Sequence, residues 1–109
     1  MVLVISAQQP QLNGAINPRF GRSPWFVKMD TQTKDWEALP NPGADQSGGA
    51  GITAAQFVVD QGANLVISGD FGPNAAKVLQ AANVEMSRFP EDVKTVEDVI
   101  KQFEKGELK

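Results

Sequence analysis

Neither cysteine nor histidine occurs anywhere in the chain. Their absence removes zinc fingers, cysteine or serine–histidine nucleophile pairs and a histidine base poised near neutral pH. Any catalysis would rest on Asp, Glu, Lys or Arg, and a metal held by side chains would need oxygen ligands or a methionine thioether. Positive charge is also scarce: 10 Lys and Arg against 13 Asp and Glu leave a net charge of −3, which carries no electrostatic footprint for nucleic acid. No apolar run approaches the roughly 20 residues of a membrane helix. The first residues, Met1 to Ile5, lack a basic region and reach polar Ser6 at once, so they read as a strand and not a signal peptide. With no disulfide framework, a cytoplasmic location is expected.

What is present amounts to one domain of 109 residues, 41% hydrophobic, with 10 glycines. Its centre runs from Gln46 to Ala76, QSGGAGITAAQFVVDQGANLVISGDFGPNAA. The pattern is a glycine-rich turn, a helix from about Gly51 to Gln61 closed by Gly62, a buried strand Asn64–Ser68, a second glycine-rich turn and a new helix. Pro73 fits the first position of that helix, where its missing N–H costs nothing.

Around this centre, Val2–Ile5 is predicted as a central strand and residues 7–24 as a long loop without period. Trp25–Met29 and Asp35–Leu39 alternate and form a hairpin, with Trp25, Val27 and Met29 on one face. Pro40 and Pro42 stop its second strand at an edge, and Asn41–Gly49 reads as a flexible polar loop. Val84–Ser87 is a short edge strand. Thr95-Val96-Glu97-Asp98 resembles a capping box, opening a helix whose apolar residues Val96, Val99, Ile100 and Phe103 share one face. The simplest sheet has the order 3-2-1-4-5 with strand 2 antiparallel. Right-handed crossovers place the first two helices on one face and leave the third for the other, a three-layer α/β/α fold.

That topology gathers three segments at one sheet edge: Phe20-Gly21-Arg22-Ser23, Gly48–Gly51 and Gly69–Asn74. Ligands of open α/β sheets bind outside the carboxyl ends of strands where the chain order reverses. Helix N-termini offer unpaired N–H groups, glycines let a ligand approach, and Arg19 and Arg22 add charge. A compact anion or anionic complex is the expected ligand. Phe20 either wedges the loop onto the core or touches the ligand. Asp70, a carboxylate at the mouth, reads as a cap of the second helix. Met1, Met29 and Met86 read as strand or terminal residues.

These residues resemble a known family. GGAGITAAQ, SGDFGPNA, KVLQAANVE and NPRFGRSPWFV, with Gly106-Glu107-Leu108 at the end, are similar to the dinitrogenase iron–molybdenum cofactor biosynthesis family of NifX and NifB C-terminal type. The resemblance implies a ribonuclease H-like fold and a module that binds or carries an iron–sulfur or iron–molybdenum cluster without catalysing a reaction. A protein partner in cofactor assembly goes with that role. Carried over motif by motif, it marks Arg19, Phe20, Gly21 and Arg22; Gly48, Gly49 and Gly51; and Gly69, Gly72, Pro73 and Asn74. Asp70 stands inside the third motif. The chain departs from cluster-carrying members in having no Cys or His to bond iron, so a cluster would rest on backbone N–H groups, Arg19 and Arg22, with Asp70 or a methionine sulfur as the alternative further contact.

Two other classes compete. A ribonuclease H-like enzyme needs carboxylates gathering two metal ions, but the first strand ends in Ser6-Ala7 without an Asp. An interaction or regulatory protein would dock a partner through loops 7–24 and 40–49. The oligomeric state is open.

Overall fold

A computed structural model describes residues 1–106; the Glu107-Leu108 part of the ending noted above lies outside them. Eight elements follow in order: β1 (Val2–Ala7), β2 (Trp25–Asp30), β3 (Trp36–Pro40), α1 (Ala50–Asp60), β4 (Leu65–Ser68), α2 (Pro73–Ala81), β5 (Glu85–Arg88) and α3 (Val96–Glu104). The strands form one mixed sheet of order β3-β2-β1-β4-β5, in which β1 pairs with β2 antiparallel and with β4 parallel. This is the predicted three-layer α/β/α arrangement.

The unbroken apolar runs of β1 and β4 exist because both faces of the sheet are covered. Alternate residues divide between two cores. Leu3, Ile5, Val27, Met29, Leu65 and Ile67 meet Val96, Val99 and Ile100 of α3. Val4, Phe26 and Val66 meet Ala54, Ala55 and Val58 of α1 and Ala75 and Leu79 of α2. Burial of each large aliphatic side chain here contributes roughly 1.5–3 kcal/mol.

The element boundaries shift slightly from the sequence reading. β1 runs on to Ala7 because Ser6 and Ala7 pair with Phe26 and Trp25, and a polar residue satisfied by hydrogen bonds need not end a strand. Pro40 is itself the last residue of β3, opposite Trp25, on an edge where its missing N–H goes unnoticed. β5 lies one residue later than expected, from Glu85 to Arg88. α1 starts at Ala50 and its cap is Gln61, with Gly62 one place beyond in the left-handed region at φ 80°.

The larger difference concerns the long segments without period, of which residues 41–49 were expected to be flexible. Residues 8–16 fold back on themselves, Gln8 donating to the Ala15 carbonyl at 2.9 Å, and the resulting turn caps α3. The N–H groups of Val96 and Glu97, the first two of α3, donate to the carbonyls of Gly14 and Leu12 at 3.1 and 2.8 Å. The predicted Thr95–Asp98 capping box is formed as well. Asn41, expected in a flexible loop, is buried, and its amide donates to the carbonyls of Gly21 and Ser23 at 3.1 and 2.8 Å.

Candidate functional site

Beyond the C-terminal ends of β1 and β4, the segment 18–20 runs beside residue 70 as an added parallel bridge between Arg19 and Asp70. The Phe20 N–H donates to the Asp70 carbonyl at 3.0 Å and the Asp70 N–H to that of Pro18 at 2.6 Å. Below this bridge lies a buried hydroxyl pair, Ser6 and Ser68, 2.7 Å apart. Ser6 donates to the Asn17 carbonyl at 2.7 Å, so its one proton is used and Ser68 must be the donor of the pair. Ser23 is likewise buried and receives the Ala7 N–H at 3.0 Å. Three small polar residues thus anchor the loop to the strand tips.

A cleft of about 280 Å³ opens at this rim, lined in part by Arg19, Gly21, Arg22, Gly49, Gly51 and the turn Asp70–Asn74. The first turns of α1 and α2 both face it, and neither has a side-chain cap. The first α1 amide to find an acceptor is that of Thr53, on the Gly49 carbonyl. In α2 it is Ala76, on Gly72. The amides of Ala50, Gly51 and Ile52, and of Asn74 and Ala75, precede those bonds and have no acceptor among the described residues. Together with the helix dipoles they polarise the cleft positively.

Arg19 is exposed; its main-chain N–H donates to Asn17 Oδ1 at 2.9 Å, while its guanidinium makes no hydrogen bond or ion pair among the described residues. Arg22 differs: its Nη1 donates to the carbonyls of Ala44, at 3.3 Å, and Gln46, so it holds the chain leading into α1. Asp70 does not cap α2 through a helical amide. Its Oδ1 accepts the N–H of Gly72, the residue before the helix, at 3.1 Å.

Nine of the twelve expected site residues line the cleft. Phe20 is fully buried, its ring centroid 5.2 Å from that of Phe26 and 5.4 Å from Phe71, so it serves as the wedge. Gly69 lies against Pro18, whose carbonyl a Cβ would strike, and its role is to admit the added bridge. Gly48 is exposed and outside the cleft. Ala50 and Phe71, inside the segments expected at this rim though not singled out there, line it too, and so do Ile52 and Ala75, which sequence reasoning missed. Ile52 belongs to the first turn of α1 and Ala75 to that of α2, and the onset of each helix was the available signal.

A metallocluster bonded by side chains needs several soft or oxygen ligands close together. Among the described residues no three His, Cys, Asp or Glu side chains gather to hold a metal ion. Bonds from side chains to iron therefore do not fit this rim. Amide and guanidinium donors around the outside of an anion do fit it.

A mixed α/β sheet with two uncapped helix N-termini and two arginines at one rim makes this a small three-layer domain of ribonuclease H-like fold. The chain belongs to the dinitrogenase iron-molybdenum cofactor family, which it matches over residues 1–106. Among solved structures it is similar to the orange protein of Desulfovibrio gigas in its apo form, with a TM-score of 0.91 and 35% identity over 99% of this chain and 90% of that one. A putative NifB protein from Thermotoga gives a TM-score of 0.84 at 30% identity, again over 99% and 90%. An uncharacterised protein of Methanocaldococcus jannaschii is 25% identical over 99 residues, 88% of this chain and 82% of its own. No helix among the described residues is long and apolar enough to cross a membrane.

Proposed function

We propose that this chain is a non-catalytic binding or carrier module for an anionic metallocluster of iron–sulfur or iron–molybdenum type. The cargo is held from outside by main-chain amides and Arg19, with no bond from a side chain to its metal. One observation carries the reading. Of the three helix N-termini, that of α3 is closed by a capping box and by the Gly14 and Leu12 carbonyls, whereas those of α1 and α2 are left open toward one cleft. Leaving such amides unpaired costs free energy, and an anion recovers it. Membership of the iron-molybdenum cofactor family supports this class of cargo. A cytoplasmic place and a protein partner in cofactor assembly belong to the same proposal.

The geometry gives each group a distinct part. The amides of Ala50 to Ile52 and of Asn74 and Ala75 converge as preorganised donors that need no rearrangement on binding. Arg19 adds the mobile counter-charge, and Arg22 fixes the approach to α1. Titration of 15N-labelled protein with molybdate and with a synthetic iron–sulfur cluster tests this. Amide shifts centred on residues 19–22, 49–52 and 72–75 are expected, and Arg19→Gln should weaken binding about tenfold. Shifts scattered over other faces would remove the site.

A further inference from the structure

A second cleft, of about 450 Å³, lies beyond the Phe71–Pro73 turn and is bounded by Ala76 of α2 and by Met86, Ser87 and Arg88 of β5. Asp70, Phe71, Gly72 and Pro73 line both clefts, so this turn is the ridge between them. The two sides differ in chemistry. The first is walled by open amides and Arg19. The second has Phe71, Pro73, Ala76 and Met86 for its surface and Arg88 as its cation.

The sheet fixes where the two arginines stand. Arg88 pairs with Ser68 on the β5 side of the β4 exit, and Arg19 bridges to Asp70 on the β1 side. Neighbouring strands are about 4.8 Å apart, so the two backbones flank that exit at roughly 10 Å. Both side chains are exposed, and neither guanidinium has a hydrogen bond or ion pair among the described residues. The carboxylate between them, Asp70, is engaged by the Gly72 amide.

We propose that the two clefts are halves of one site and that its ligand is an extended polyanion. One end is neutralised by Arg19 and the amides of α1 and α2, the other by Arg88. This rests on the anion reading above and adds the size and character of the ligand. Over Phe71, Pro73 and Met86 a bound group gives up water without receiving hydrogen bonds in return. The charge on that end must therefore be diffuse and weakly hydrated, of the kind that polarisable thioether and aromatic surfaces accommodate.

Binding of two anions to the full chain separates the possibilities. Inorganic phosphate is small and fits the first half alone. Decavanadate is large and carries diffuse charge. Arg88→Gln should weaken decavanadate about tenfold, the effect of losing one charged contact, while leaving phosphate binding unchanged. Arg19→Gln should weaken both. Amides of residues 86–88 should shift with decavanadate and stay still with phosphate. If Arg88→Gln binds decavanadate like wild type while Arg19→Gln does not, the second half is refuted and the anion site stands. If neither anion moves the amides of residues 50–52 and 74–75, both readings fall together.

Discussion

Gly21 and Gly51 meet with no side chain between them: a Cβ on Gly21 would stand 3.0 Å from the Gly51 Cα and 3.1 Å from its nitrogen. The contact sets the first turn of α1 against the loop that carries both arginines. Gly21→Ala should push that turn away, with an overpacking cost of about 1–3 kcal/mol. Chemical denaturation and molybdate titration of the same variant measure both effects. A variant of normal stability and normal affinity would show that the contact does not position the cleft.

Arg19 and Arg22 should separate experimentally. Arg19→Gln removes a cation with no partner, so stability should stay within about 0.5 kcal/mol while anion affinity drops. Arg22→Gln releases the carbonyls of Ala44 and Gln46, and amide exchange over residues 43–49 should speed up. The reverse pattern would exchange their roles.

The buried serines make an ordered prediction. Ser68→Ala removes a donor but leaves Ser6 bonded to Asn17, at a cost of about 0.5–1.5 kcal/mol. Ser6→Ala strands both the Asn17 carbonyl and the Ser68 hydroxyl, at about 1–3 kcal/mol. Urea unfolding should therefore rank Ser6→Ala as the more damaging change.

Acid should loosen the α3 end and the β2–β3 turn. The N–H groups of Lys94 and Thr95 donate to the Asp98 carboxylate and hold it below the ordinary aspartate value of 3.8. Asp30 is lowered in the same way by the amides of Gln32 and Thr33. A depressed folded value favours the native state above the unfolded value, so this stability is fully present at neutral pH. It is lost as pH falls through 3.8 toward the lower folded value. Asp98→Asn should flatten that part of the acid profile of stability, and an unchanged profile would remove the capping carboxylate from the explanation.

Phe20 is expected to be a stability residue. Phe20→Ala opens a cavity between Phe26 and Phe71 and should cost about 3–5 kcal/mol, far more than any change at Arg19. A thermal or urea midpoint close to wild type would return Phe20 to the list of ligand contacts.

The strand order and the division into layers were legible because β1 and β4 carry unbroken apolar runs and the crossovers obey one handedness. The glycine motifs and Pro73 located the rim for the same reason, since each marks a strand-to-helix turn. Periodicity is blind to what long polar segments do. Residues 8–16 lack any repeat, yet Gly14 and Leu12 serve α3 through carbonyls, which every residue possesses. The residue types of Ser6 and Ser23 do not announce burial and Asn41 reads as part of a flexible loop, and only the fold shows all three buried as anchors. Met86 and Arg88 were passed over because β5 is a four-residue edge strand whose end meets the cleft only through the β4 pairing.

The bridge between Arg19 and Asp70 has a kinetic meaning. It extends the sheet past its last regular hydrogen bonds, so the floor of the mouth is tied down by main-chain bonds from both segments. Under the proposed function, cargo would come and go across a fixed opening, its residence time governed by how readily it regains its own hydration shell.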